Sequence, residues 1–247
     1  MNGRALGSSA RSMPFLDHLI ELRSCLIKAM CGIALGSVIC LAFADALFAF
    51  LTTPFLDNFA KGALIGTGPT DAFVAKLKVS LFAALILTSP YSFLQLWIFV
   101  SPGLHQKERK LVVPFVIAST LFFLLGVCFC YGVALPFAFQ FFEGQYMDLA
   151  ISPQIRIGEY FEFILKTMLV FGLVFEMPVI SFFLAHFGLL TAKWLISNLR
   201  ISIVVIFFVA ALLTPPDVVS QLLLAFPLLF LYALCILVCY WAEPTAP

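Results

Sequence analysis

Leu111-Val112-Val113-Pro114-Phe115-Val116-Ile117-Ala118-Ser119-Thr120-Leu121-Phe122-Phe123-Leu124-Leu125-Gly126-Val127-Cys128-Phe129-Cys130-Tyr131-Gly132-Val133-Ala134 contains no charged side chain. A helix needs roughly 20 apolar residues to cross the hydrocarbon of a bilayer, and this run satisfies that length. A run of this length without alternation or charge is neither an amphipathic surface helix nor a half-buried strand. Only a helix closes all its backbone hydrogen bonds within one segment, so helix is what such a run must form in lipid.

The rest of the chain agrees. Of its 247 residues, 63% are hydrophobic and 11% charged, and the mean hydropathy is +1.10. Soluble domains average about 45–50% apolar and about 25% charged residues. A water-soluble fold of this length could not hide so much apolar surface. The net charge of +1 gives no basic patch for nucleic acid. The expected class is therefore an all-α membrane protein forming one transmembrane domain over 1–247.

Working outward, the apolar runs and their breakers divide the chain into six spans, at about 29–51, 73–100, 111–134, 159–184, 199–213 and 218–241. Residues 1–12 carry Arg4, Arg11 and small residues and no pattern, which is the composition of a disordered extension. Residues 13–28 read as an amphipathic interfacial helix. Phe15, Leu19, Leu22 and Leu26 form one stripe, and Asp17, Glu21, Ser24 and Lys28 another. A cleavable leader is not expected, because this helix precedes the first apolar run and the run continues past Ala44. Gly32-xxx-Gly36 in span one offers a face for close packing. Pro90 should kink span two, and Lys76 and Lys78 can snorkel at its start. Residues 52–72 and 135–158 are expected as loops, with Pro54 in the first. Span five is short, and Pro215-Pro216 separates it from span six.

Orientation follows from Lys and Arg. With both termini in the cytoplasm, nine of these residues lie on the inner side (Arg23, Lys28, Lys107 and Arg109 among them) and five on the outer. The positive-inside rule favours that arrangement.

Catalysis finds no support. The three histidines, His18, His105 and His186, fall in loops or at interfaces, and no HExxH, GxSxG or P-loop pattern occurs. The seven cysteines form no CxxC pair, so neither a metal nor a cofactor is expected. Four acids remain. Glu21 and Glu108 both fall on the inner face, close to span ends. Paired there, they could accept forked guanidinium hydrogen bonds from a ligand displaying arginines. Each also has a plain reading, as a solvated or charge-balanced surface acid. Glu176 lies within an apolar run, where a carboxylate costs several kcal/mol unless protonated or paired. It could serve an ion path, a proton relay or a polar contact with a partner helix, or pack protonated against a neighbour. Asp217 suits the first turn of span six through the helix dipole, with Gln221 one turn on. The residues alone leave open a peptide receptor, a proton-coupled small-solute transporter using Glu176, and a membrane hydrolase. The missing catalytic pairs count against the last, and the absence of matching halves counts against the transporter.

Four strings in order resemble one family. His18-Leu19-Ile20-Glu21-Leu22-Arg23 resembles the amino-terminal signature of TatC, the multi-spanning subunit of the twin-arginine protein translocase. Phe99-Val100-Ser101-Pro102-Gly103-Leu104 with Lys107-Glu108-Arg109-Lys110 resembles its first cytoplasmic loop. Phe171-Gly172-Leu173-Val174-Phe175-Glu176-Met177-Pro178-Val179 resembles its fourth span, and Leu213-Thr214-Pro215-Pro216-Asp217-Val218-Val219-Ser220-Gln221 its last outer turn. Ile20 departs from the pattern at a place that is often acidic, and the tail after Trp241 has no basic residue.

The resemblance implies a receptor in the bacterial cytoplasmic membrane for signal peptides with consecutive arginines. It implies assembly with TatA- and TatB-type single-span subunits, a homo-oligomeric receptor complex, and transport of folded precursors driven by the proton-motive force. Glu21, Arg23, Phe99 and Glu108 would serve the signal peptide. Glu176, Asp217 and Gln221 would be polar contacts for partner helices or the outer edge, and Pro54 a functional loop position. The implied fold is a concave, glove-like bundle with short fifth and sixth helices.

Overall fold

A computed structural model describes residues 15–59, 63–101, 112–148, 153–213 and 218–242. Helix α1 (Phe15–Ala42) is followed directly by α2 (Ala44–Asn58). Next come β1 (Ala63–Ile65), α3 (Asp71–Leu87) and α4 (Ser89–Val100). Helix α5 (Val112–Phe129) runs through a π-helical turn, Cys130–Ala134, into α6 (Leu135–Asp148). The chain continues with β2 (Gln154–Arg156), α7 (Ile157–Val174), α8 (Met177–His186), α9 (Ala192–Ser197), α10 (Leu199–Leu213) and α11 (Val218–Ala242).

Among the described residues, four segments are long and apolar enough to cross a membrane: His18–Ala42, Val112–Met147, Ile157–His186 and Leu224–Ala242. The α3–α4 pair, bent by 57°, makes a fifth, and α10 is a shorter apolar helix. In order, these are consistent with six spans.

Several boundaries differ from those expected. The amphipathic stretch runs without a break into the first part of span one as α1, because nothing between Phe15 and Ala42 breaks a helix, whereas residues 44–51 of the expected span belong to α2, after a turn at Phe43. Residues 135–148, expected as loop, are helical. Pro136 has no N–H to donate, and the π turn before it, with the Leu135 N–H bonded to the Cys130 carbonyl, carries the chain past it. In the other expected loop, α2 extends through Pro54 to Asn58. The sixth helix is not short: α11 has 25 residues, no glycine, and one internal proline, Pro227.

Prolines shape the helices, and hydroxyls take up the carbonyls they free. Pro90 removes the donor for the Ile86 carbonyl, and the Ser89 hydroxyl donates to it at 2.8 Å. The Thr88 hydroxyl donates to the Ala84 carbonyl at 2.8 Å at the same bend. Helix α8 ends at Gly188, whose φ of 69° is the left-handed conformation that terminates helices.

Helix α1 packs on α3 and α4, α5 on α4 and α7, and α11 on α8 and α10. Lipid offers no hydrophobic drive between helices, so close packing must hold them together. Glycines permit it. A Cβ on Gly126 of α5 would stand 2.6 Å from the Phe171 carbonyl oxygen of α7, and one on Gly172 would stand 2.6 Å from the Phe123 ring. The Gly32-xxx-Gly36 face is used within the chain, against Tyr91 and Thr88.

The two segments beyond α2 and α6 meet as parallel strands, with Ala63 opposite Gln154 and Ile65 opposite Arg156. They define one end of the bundle, called here the sheet end. The first turns of α1 and the last of α4 lie together at the other, the amino-terminal end.

Candidate functional site

At the amino-terminal end the His18 ring of α1 stacks on the Phe99 ring of α4, with centroids 4.3 Å apart and planes 18° apart. Glu21 follows His18 by three residues, so the helix sets both on the same side of α1. It is half-buried, and one carboxylate oxygen is shielded from solvent with no hydrogen-bond partner among the described residues. Arg23 is exposed, two residues farther round the helix. Glu108 lies outside the described residues. The structure thus brings Glu21 and Phe99 to one place through His18, a residue not counted among the expected contacts. Its signal was its i,i+3 spacing from Glu21. An unsatisfied acceptor beside a stacked aromatic pair suits a planar cation, which can donate to the carboxylate and stack on a ring.

The second site is deeper. Glu176 sits in the break between α7 and α8, which Pro178 in the first turn of α8 requires. Its N–H turns back to the Leu173 carbonyl at 3.2 Å, a tightened turn. The side chain is 5% exposed, so the chain itself encloses it, away from the lipid face. One carboxyl oxygen has no hydrogen-bond partner, and the Ser119 hydroxyl of α5 interacts with the carboxyl group. Trp97 of α4 donates its ring N–H to Ser119 at 3.3 Å. Around this polar line Trp97 stacks on Phe115 at 4.7 Å and meets Phe183 edge-on at 4.8 Å. Trp97 stands two residues before Phe99, so α4 carries a member of both sites.

The sheet end is a different environment. Pro54 is buried inside α2 and leaves the Phe50 carbonyl without its helical donor. The Tyr131 hydroxyl, from the π turn, donates to that carbonyl at 2.8 Å, and the Tyr160 hydroxyl of α7 donates to the next, Leu51, at 2.8 Å. Both tyrosines were missed as partners of Pro54. Their signal was a phenol in an apolar stretch, which needs a polar partner. Lys76 pairs with Asp45, Lys78 with Glu162 at 3.8 Å, and Arg156 with Glu159 at 3.6 Å. The two lysines therefore pair with acids as well as standing near the lipid boundary. Asp71 accepts hydrogen bonds from the Thr67 and Gly68 amides, both at 2.8 Å, and from the Thr67 hydroxyl at 3.0 Å. The Gly68 and Thr67 amides, then the Thr67 hydroxyl, hold its carboxyl below the usual carboxylate range.

A family model described as Sec-independent protein translocase protein (TatC) matches residues 17–227, which run from the first turn of α1 into the first part of α11. The chain belongs to the TatC family. It is 42% identical over 225 residues to the TatC protein of Desulforapulum autotrophicum, covering 91% of this chain and 83% of the relative. To that of Campylobacter jejuni it is 41% identical over 230 residues, covering 92% and 94%. A crystal structure of the twin arginine translocase receptor TatC superposes with a TM-score of 0.82 at 34% identity, over 91% of this chain and 99% of that one.

This TatC-family chain is thus a multi-pass membrane protein and a subunit of a protein translocase, not an enzyme. Of the remaining expected positions, Gln221 of α11 donates from its side-chain amide to the Phe207 carbonyl of α10 at 3.0 Å, joining these two helices. Asp217 lies outside the described residues. None of the seven cysteines is in a disulfide.

Proposed function

We propose that the amino-terminal end faces the cytoplasm of a bacterium and receives the paired arginines of signal peptides on folded precursor proteins. One observation carries the reading: the shielded, unpartnered carboxylate oxygen of Glu21 beside the His18–Phe99 stack. A buried acceptor without a donor is costly in isolation, and a guanidinium would supply that donor. One arginine binds Glu21 and lies against the Phe99 ring; Glu108 serves the other, with Arg23 at the rim. The likeness to a crystallised twin arginine translocase receptor supports the same reading.

In this account Glu176, with Asp217 and Gln221, provides polar contacts for TatA- and TatB-type single-span subunits. Several copies of the chain assemble into the receptor complex, and the proton-motive force drives export across the cytoplasmic membrane. Glu176 is enclosed in the isolated chain, so a partner helix reaches it by parting α5 from α7–α8.

The test is photo-cross-linking of an Arg-Arg signal peptide to the protein in membranes, with a Lys-Lys peptide as control. Cross-links that need both arginines, and that weaken in Glu21→Ala and in Glu108→Ala, are expected. Equal labelling by the Lys-Lys peptide would refute the proposal.

A further inference from the structure

A groove of about 600 Å³ runs along the outside of α1, between it and the α3–α4 bend. Gly32 and Gly36 form its floor, where α1 comes closest to Tyr91 and Thr88. Leu35 and Ile39 wall one side and Leu87 the other, all more than half exposed. At its amino-terminal mouth stands Lys28. Lys28 is exposed and makes no ion pair or hydrogen bond with any described residue. The cations at the sheet end differ: Lys76, Lys78 and Arg156 each have an acid.

Shape and charge together select the occupant. From Lys28 to Ile39 the helix rises about 16 Å. Over that length the groove is long and shallow, the form of an extended hydrocarbon chain. Apart from Lys28 its lining is uncharged and mostly apolar, which suits an acyl chain. Among the described residues that line it, the one charged side chain is Lys28, at the point where the apolar stretch of α1 begins.

We infer that this groove is a binding site for one anionic phospholipid. The headgroup phosphate sits at Lys28, and an acyl chain lies over Gly32 and Gly36 as far as Ile39. Bound there, the lipid fills the angle between α1 and the α3–α4 bend. No signal peptide is involved, so this inference and the proposed function fail independently.

The test is native mass spectrometry of the intact chain, stripped of lipid and titrated with phosphatidylglycerol or phosphatidylcholine. One phosphatidylglycerol should be retained in preference to phosphatidylcholine. A cation at a membrane surface contributes about 1 kcal/mol, so Lys28→Gln should weaken retention about fivefold, while Lys28→Arg preserves it. Cys31→Trp, which places a ring in the groove, should displace the lipid with Lys28 intact. Equal retention of both lipids overturns the inference. Loss in Lys28→Gln without loss in Cys31→Trp overturns it too, by showing interfacial charge alone. The converse pattern, or a polypeptide co-purifying in place of the lipid, contradicts the headgroup assignment.

Discussion

The sheet end and the amino-terminal end of this molecule treat polar groups in opposite ways. At the sheet end the carbonyl that Pro54 leaves without a donor is taken by Tyr131, Tyr160 bonds the next carbonyl, and Lys76, Lys78 and Arg156 each have an acid. At the amino-terminal end Glu21 keeps a shielded oxygen without a donor, and Glu176, deeper in, keeps another. A fold that satisfies polar groups at one end and leaves carboxylates open elsewhere has kept the latter for something else. Under the proposed function, the sheet end is framework and the open acids are binding equipment.

That contrast can be broken most severely at the framework. Tyr160→Phe removes a buried hydrogen bond to the Leu51 carbonyl and should destabilise the protein by about 0.5–1.5 kcal/mol, read from thermal unfolding in detergent. Tyr131→Phe should cost a similar amount, but less in a Pro54→Ala background, where the helix regains its donor to the Phe50 carbonyl. A cycle showing no coupling between Pro54 and Tyr131 would remove the repair argument. The opposite sign is expected for Glu176→Leu. Replacing a buried, half-satisfied carboxyl should leave stability unchanged or raise it by about 1 kcal/mol while export activity is lost. Marked destabilisation would make Glu176 framework after all.

Smaller effects sharpen the picture. Lys78→Ala breaks an exposed ion pair and should change stability by less than about 1 kcal/mol. For Asp71 the sign follows from its carboxyl being held below the ordinary value of about 3.9. Its contribution is complete above that value and is lost as pH falls through the lowered one. Protection of the Thr67 and Gly68 amides from hydrogen exchange should fall in acid, and Asp71→Asn should make it insensitive to pH.

Membrane class, the order of the spans and the bend at Pro90 were legible because apolar run length and proline act locally. The two strands were not: three residues each carry no readable period, and their pairing joins segments about ninety residues apart. Helix through 135–148 was hidden because Pro136 looks like a terminator unless the preceding turn is known to widen. Glu21 and Phe99 were legible as candidates, and the structure adds the ring of His18 that joins them. For Glu176, the apolar run around it marked a buried acid. The chain could not show that Ser119 and Trp97, 57 and 79 residues earlier, would stand behind it.

The central claim is that the open oxygen of Glu21 is an arginine acceptor. The affinity of an Arg-Arg signal peptide for the wild-type protein and for Glu21→Gln, measured in nanodiscs, tests it most directly. Glutamine keeps the shape and removes the charge. A hydrogen bond to a charged group is worth about 1.5–3 kcal/mol, so binding should weaken by about 10- to 100-fold. A Lys-Lys peptide, weak from the start, should change little. Equal affinity of the Arg-Arg peptide for both proteins would contradict the account.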